Sequence, residues 1–186
     1  SRSIVHLDNF VSNMHRIREL TRGVPKVCLT VKADAYGHGA VEIARAAEEI
    51  DIDFLGVASA SEGIEITTSG ISTAILLLSL PLPEDLSEIA KHGLSTVTAS
   101  RRHLELLEAA AKAEDAAIRV HLKIDTGMGR IGCRPEDAVE LAGYAARLPH
   151  VRLEGICTHF PMADDRNSDF TAGQIALFDR CISDIR

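Results

Sequence analysis

The feature that most constrains the fold is a rhythm of short, almost wholly apolar runs separated by helical segments from about residue 26 to the end. Strands covered on both faces read as continuous apolar runs, because parallel sheets carry helices on their outsides. The runs fall at 26–32, 53–58, 74–79, 95–98, 118–124 and 152–158. Helical patterns fit between them at 39–50, 60–68, 84–92, 100–114, 135–147 and 171–186, and Gly70, Gly93 and Pro149 punctuate the connections. Ahead of the first run, Asp8 reads as an N-cap, with Phe10, Met14 and Ile17 at helical spacing and a stop near Gly23-Val-Pro25. This alternation implies right-handed βαβ units and a parallel sheet. It suits an open doubly wound sheet or most of an eight-stranded barrel. A complete barrel takes ~250 residues, so a barrel of 186 residues is incomplete, with about six βα units.

The first run ends in a lysine: Lys26-Val-Cys-Leu-Thr-Val-Lys32-Ala-Asp-Ala-Tyr36-Gly-His-Gly39. A lysine at the carboxyl end of a barrel strand projects onto the face where such folds keep their chemistry. An amine there can lose solvation, and with it some proton affinity, which makes it a usable Schiff-base nucleophile. A strand-end lysine can also simply reach water, so the other clusters decide. Tyr36 carries a phenol suited to a phosphate oxygen, or is an amphipathic loop aromatic.

The second cluster is Val120-His-Leu-Lys123-Ile-Asp125-Thr-Gly127-Met-Gly-Arg130-Ile-Gly132. Alternation places His121, Lys123 and Asp125 on one strand face, which suits a polar interior. Lys123 and Asp125 admit either an ion pair or a catalytic role. Arg130, in a glycine-rich loop, has the forked donors that hold an anionic oxygen. Gly127-x-Gly129-x-x-Gly132 also spells a dinucleotide fingerprint, but Pro135 is expected to open the next helix only three residues later, which does not suit that motif. The third cluster, Cys157-Thr-His159-Phe160, ends the sixth run, with His159 on the face of Leu153, Gly155 and Cys157; Asp164-Asp165-Arg166 reads as a solvated loop.

Charge and composition exclude several classes. A net charge of -7 argues against nucleic acid or an anionic membrane as partner, and 46% hydrophobic with 25% charged residues is globular. The longest apolar stretch, Ile71 to Leu80, is too short to span a bilayer. The four cysteines have no CxxC spacing and the eight histidines no ligand pattern, so no metal is expected. One domain over 1–186 is the default, and the opening Ser-Arg-Ser, with no leader or initiator Met, reads as that of an excised or processed piece.

These clusters resemble the signatures of the alanine racemases, which depend on pyridoxal phosphate. Val31-Lys-Ala-Asp-Ala-Tyr-Gly-His-Gly39 resembles their cofactor-lysine motif, Leu122-Lys-Ile-Asp-Thr-Gly-Met-Gly-Arg130 their second signature, and Thr158-His-Phe160 with Ala163-Asp164 their third. The resemblance covers essentially the whole chain. It implies a (β/α)8 TIM-type barrel, here truncated at residues 1–186 before its last strands and a β-rich C-terminal domain, in a head-to-tail homodimer. By motif match, Lys32 would bind pyridoxal 5'-phosphate as a Schiff base and Tyr36 would hydrogen-bond its phosphate. Arg130 would contact the cofactor's phenolic oxygen and the substrate carboxylate, and His159 would link the catalytic groups. Lys123 matches a lysine that can carry a carbamate. The family often has Asn where this chain has Asp34. The implied activity is interconversion of L- and D-alanine in the cytoplasm, supplying a peptidoglycan precursor, with the second base in the partner subunit and the fragment inactive alone. A fold-related pyridoxal-phosphate decarboxylase, a non-enzymatic cofactor-binding barrel and, last, a dehydrogenase remain alternatives, and Gly-Met-Gly-Arg favours the racemase.

Overall fold

The computed structural model describes residues 4–186; the opening Ser-Arg-Ser lies outside the described residues. Two compact units divide the chain, the first ending at Leu78 and the second spanning Ser79–Arg186.

In the first unit, α1 (Leu7–Leu20) is followed by β1 (Cys28–Thr30), a short turn α2 (Lys32–Gly37), α3 (Ala40–Glu49), β2 (Phe54–Val57), α4 (Ala60–Thr68) and β3 (Ala74–Leu77). The strands are parallel in the order β1-β2-β3, with Cys28 opposite Phe54 and Phe54 opposite Ala74. The core is what the apolar runs dictated: Val31, Leu55, Val57, Ile75 and Leu77 meet Ile43, Ala44, Ala47 and Ile66 from the helices, all buried. Each large aliphatic side chain so buried contributes about 1.5–3 kcal/mol. α1 starts two residues earlier than expected. Its N-cap is His6, and Asp8 lies in the first turn, where a carboxylate still favours the positive helix end.

The second unit carries β4 (Ser95–Thr98), β5 (Ile118–Lys123) and β6 (Val151–Cys157), interleaved with α5 (Leu86–Lys91), α6 (Arg101–Ala113), α7 (Ala138–Ala145) and α8 (Phe170–Ile185). These strands are also parallel, in the order β4-β5-β6. Serines stop the chain and start the helices: Ser59 Oγ accepts from Glu62 N at 3.3 Å in the first unit, and Ser100 Oγ from His103 N at 3.2 Å in the second. The helices expected at 84–92 and 135–147 open as 3-10 turns, Pro83–Asp85 and Pro135–Asp137, because proline starts a turn but offers no N–H.

Candidate active site

In the first unit the candidate residues gather around Lys32. β1 ends at Thr30, but Val31 N–H still donates to Gly56 O at 2.8 Å, so the ladder delivers Lys32 directly from a buried residue, Val31. Lys32 is half-buried, and its Nζ lies 5.9 Å from the centroid of the exposed Tyr36 ring. In the turn between them Ala33, Asp34, Ala35 and Tyr36 all adopt left-handed helical angles, φ +51 to +56°. For residues with a Cβ this conformation costs roughly 1–2 kcal/mol each, so neighbours must hold it.

Two carboxylates do. Glu62 accepts Ala33 N–H at 2.8 Å and Ala58 N–H at 2.7 Å. Asp34 Oδ1 accepts Ala40 N–H at 2.7 Å, capping α3, whose own N-cap is a glycine. Glu62 was absent from the sequence-derived candidates. Its only signal is the Ser59-x-x-Glu62 capping-box spacing, and the structure shares that carboxylate between Ala58 N–H, next to its own N-cap, and the Lys32 turn.

In the second unit, Lys123 closes β5 with only 9% of its surface exposed, and its Nζ donates to Thr158 O at 3.4 Å. The ion pair with Asp125 that strand alternation allowed is replaced. Asp125 Oδ1 turns into its own loop and accepts Gly127 N–H at 2.9 Å and Gly129 N–H at 3.1 Å. Burial pushes the Asp125 carboxyl up, but the backbone donors of Gly127, Gly129, Met128 and Arg130 outweigh it and hold the group below the usual range. Asp125 thereby shapes the loop that presents the exposed Arg130. Gly132 closes the loop at φ +143°, where a Cβ would sit 2.5 Å from Asp125 N, so only glycine lets Cys133 bridge back to Ile124. The next helical turn opens at Pro135, not at Gly132, so the segment is not a dinucleotide loop.

His121 belongs to a different group. Its Nε2 lies 3.1 Å from Glu154 Oε2, which also accepts from Ser95 Oγ at 3.1 Å, while Arg119 Nε donates to Ser95 Oγ at 3.2 Å. Of the polar face read from sequence, this network takes in His121 alone, with Arg119 beside it. It sits beside a bulge: Val120 pairs with Leu153 but His121 with Gly155, leaving Glu154 extra. β6 ends at Cys157, so the strand alternation that placed His159 with Leu153, Gly155 and Cys157 does not extend to it. His159 lies two residues past β6, exposed, with its carbonyl accepting from Gln174 Nε2 at 3.2 Å. Thr126 and Thr158 join the Arg130 loop to the His159 segment through a 2.8 Å hydroxyl pair. Burial raises the Cys157 thiol pKa, and the positive charge of Lys123 pulls it back in part.

A family model for the alanine racemase N-terminal domain matches residues 5–186. The alanine racemase of Treponema denticola is 41% identical over 189 residues, covering 100% of this chain and 50% of that protein. That of Treponema pallidum is 39% identical over 192 residues, with the same coverage of 100% and 50%. Among solved structures, the alanine racemase of Clostridium difficile 630 matches with TM-score 0.92 at 35% identity, over 96% of this chain and 47% of that one. The chain spans about half the length of the curated relatives it matches. The expected fold class, an incomplete α/β barrel, is the class of these neighbours' N-terminal barrels. By its fold, its motifs and the match over residues 5–186, the chain belongs to the alanine racemase N-terminal domain family.

Proposed function

We propose that residues 1–186 form the cofactor-holding part of a pyridoxal-phosphate-dependent alanine racemase. The observation that carries this reading is Lys32, half-buried at the end of β1 and followed by a left-handed turn that two carboxylates pin in place. The donor chemistry fits the cofactor: an amine for an aldehyde, a phenol for a phosphate oxygen and a guanidinium for carboxylate and phenolate oxygens. When bound, pyridoxal phosphate supplies a carbonyl that captures the substrate amine and a conjugated ring that accepts the electron pair left at Cα.

The chain's own residues do the rest. Lys32 Nζ would hold the cofactor and would take or return the Cα proton on one face. Tyr36 donates its phenolic hydrogen to a phosphate oxygen. Arg130, presented by the Asp125-braced loop, would hold the substrate carboxylate through its forked donors. Lys123 sits buried below that loop, where a carbamate on Nζ would turn a cation into an anion able to orient Arg130. His159 relays through the groups around it. Racemisation also needs a proton donor on the opposite face, which we assign to the partner subunit of a homodimer. The product supplies D-alanine for peptidoglycan, and the enzyme works in the cytoplasm. Among the described residues no helix is long and apolar enough to cross a membrane.

The test is expression of the full-length gene product containing this chain, with pyridoxal phosphate, assayed for interconversion of D- and L-alanine. Racemisation that vanishes in Lys32→Ala is expected. Visible absorbance of a lysine-bound cofactor with decarboxylated products instead of racemised ones would overturn the reading.

A further inference from the structure

Gln174 is 2% exposed and lies in the second turn of α8, remote in sequence from every motif above. Its side-chain amide Nε2 donates to Thr126 Oγ1 at 3.2 Å and to His159 O at 3.2 Å. Thr126 lies between Asp125 and Gly127, at the start of the Arg130 loop, and its hydroxyl also meets Thr158 Oγ1 at 2.8 Å. One amide group therefore clasps both segments that follow β5 and β6. Phe170, the first residue of α8, packs on the same loop, with its Cζ 3.0 Å from where a Cβ on Gly127 would stand.

This clasp is not an economical way to fill a core. Gln174 Oε1 is buried with no hydrogen-bond partner among the described residues, and so is Thr171 Oγ1 three residues before it. A buried acceptor left unsatisfied is destabilising, and an unbranched apolar side chain of similar length would avoid the loss. The amide's contribution lies in its two donated bonds, and both end on segments carrying proposed functional residues. We propose that Gln174 is a positioning residue for racemisation, holding the Arg130 loop and the His159 segment in one fixed relation. The inference rests on the racemase reading above.

The experiment uses the full-length protein loaded with pyridoxal phosphate and compares wild type, Gln174→Met, Thr126→Val and the double variant. Methionine keeps the length and burial but donates no hydrogen bond. Gln174→Met should keep or raise the melting temperature and retain the visible absorbance of the Lys32-bound cofactor, while kcat falls by roughly tenfold to a hundredfold in both directions. Thr126→Val should lose activity in the same way, and the double variant should lose no more than the worse single one, since both cut one clasp. A Gln174→Met enzyme within about twofold of wild type would overturn the role. So would a loss of activity that only parallels losses of melting temperature and cofactor absorbance. A wild type that binds cofactor but does not racemise alanine would remove the racemase reading itself, an outcome visible before any Gln174 variant is compared.

Discussion

Glu62→Ala isolates what holds the left-handed turn behind Lys32. The wild-type carboxylate takes two backbone donors, Ala33 N–H at 2.8 Å and Ala58 N–H at 2.7 Å. Hydrogen bonds to a charged group contribute about 1.5–3 kcal/mol where water is excluded. Both bonds here lie near the surface, where water replaces part of what is lost, so about 1 kcal/mol each is the reasonable share. The turn itself stores roughly 1–2 kcal/mol in each of four residues, so it opens locally once its first amide is released. The readout is native-state hydrogen exchange at the Ala33 amide. A loss of about 2 kcal/mol corresponds to roughly 30-fold faster exchange. Glu62→Gln retains one acceptor oxygen and should show roughly fivefold. Exchange at amides in the middle of α6, in the other unit, should not change. Unchanged Ala33 exchange in Glu62→Ala, or equal effects of the Ala and Gln variants, would refute the argument that this carboxylate braces the turn.

Asp125 predicts a pH dependence. Its folded pKa lies below the ordinary 3.8, so its contribution to stability is fully present above that value and is lost as pH falls through the folded one. The gap in urea midpoint between wild type and Asp125→Asn should therefore be flat from neutral pH to about 5 and close in stronger acid; a gap that persists undiminished there contradicts the backbone-donor account. Gly132→Ala, which would set a Cβ 2.5 Å from Asp125 N, should cost roughly 2–4 kcal/mol in denaturant unfolding. Gly129→Ala, at φ +71° with open space around it, should cost only about 1–2 kcal/mol, and equal losses would show that the close approach is not what selects Gly132. Burial pushes the Cys133 thiol up to about 11, so at pH 8 only about one molecule in a thousand holds the reactive thiolate. Iodoacetamide should spare Cys133 in the native protein and modify it after unfolding, and rapid native labelling would contradict the buried placement.

Local pattern was enough for the elements themselves. Strands buried on both faces must be apolar throughout, and helices on a sheet must present an apolar stripe, so six runs and their intervening helices could be placed within a few residues. Ser59 and Ser100 set their helices because a short hydroxyl is the local partner that a first-turn amide needs. The three functional clusters were legible as residue types in order, which the match over residues 5–186 bears out at the level of the family.

What no local pattern contained was where the polar groups find partners. Of Ala33-Asp-Ala-Tyr36 only Asp34 is a residue type that tolerates left-handed angles; Glu62, 29 residues from Ala33, holds the turn. Alternation could offer Asp125 to Lys123, but the nearest unpaired backbone donors lay in its own glycine loop, and a carboxylate bound by several N–H groups outcompetes one ion pair near water. β6 stops at Cys157, so His159 lies beyond the alternation used to place it. Gln174, an amide on a helix with no motif around it, reaches Thr126 across 48 residues. The sequence by itself determined which stretches must be covered and which residues could do chemistry, because burial and residue type are local properties. Only the tertiary structure decided how those residues are held, because a hydrogen bond is satisfied by whichever group the fold brings within about 3 Å, and those groups come from elsewhere in the chain.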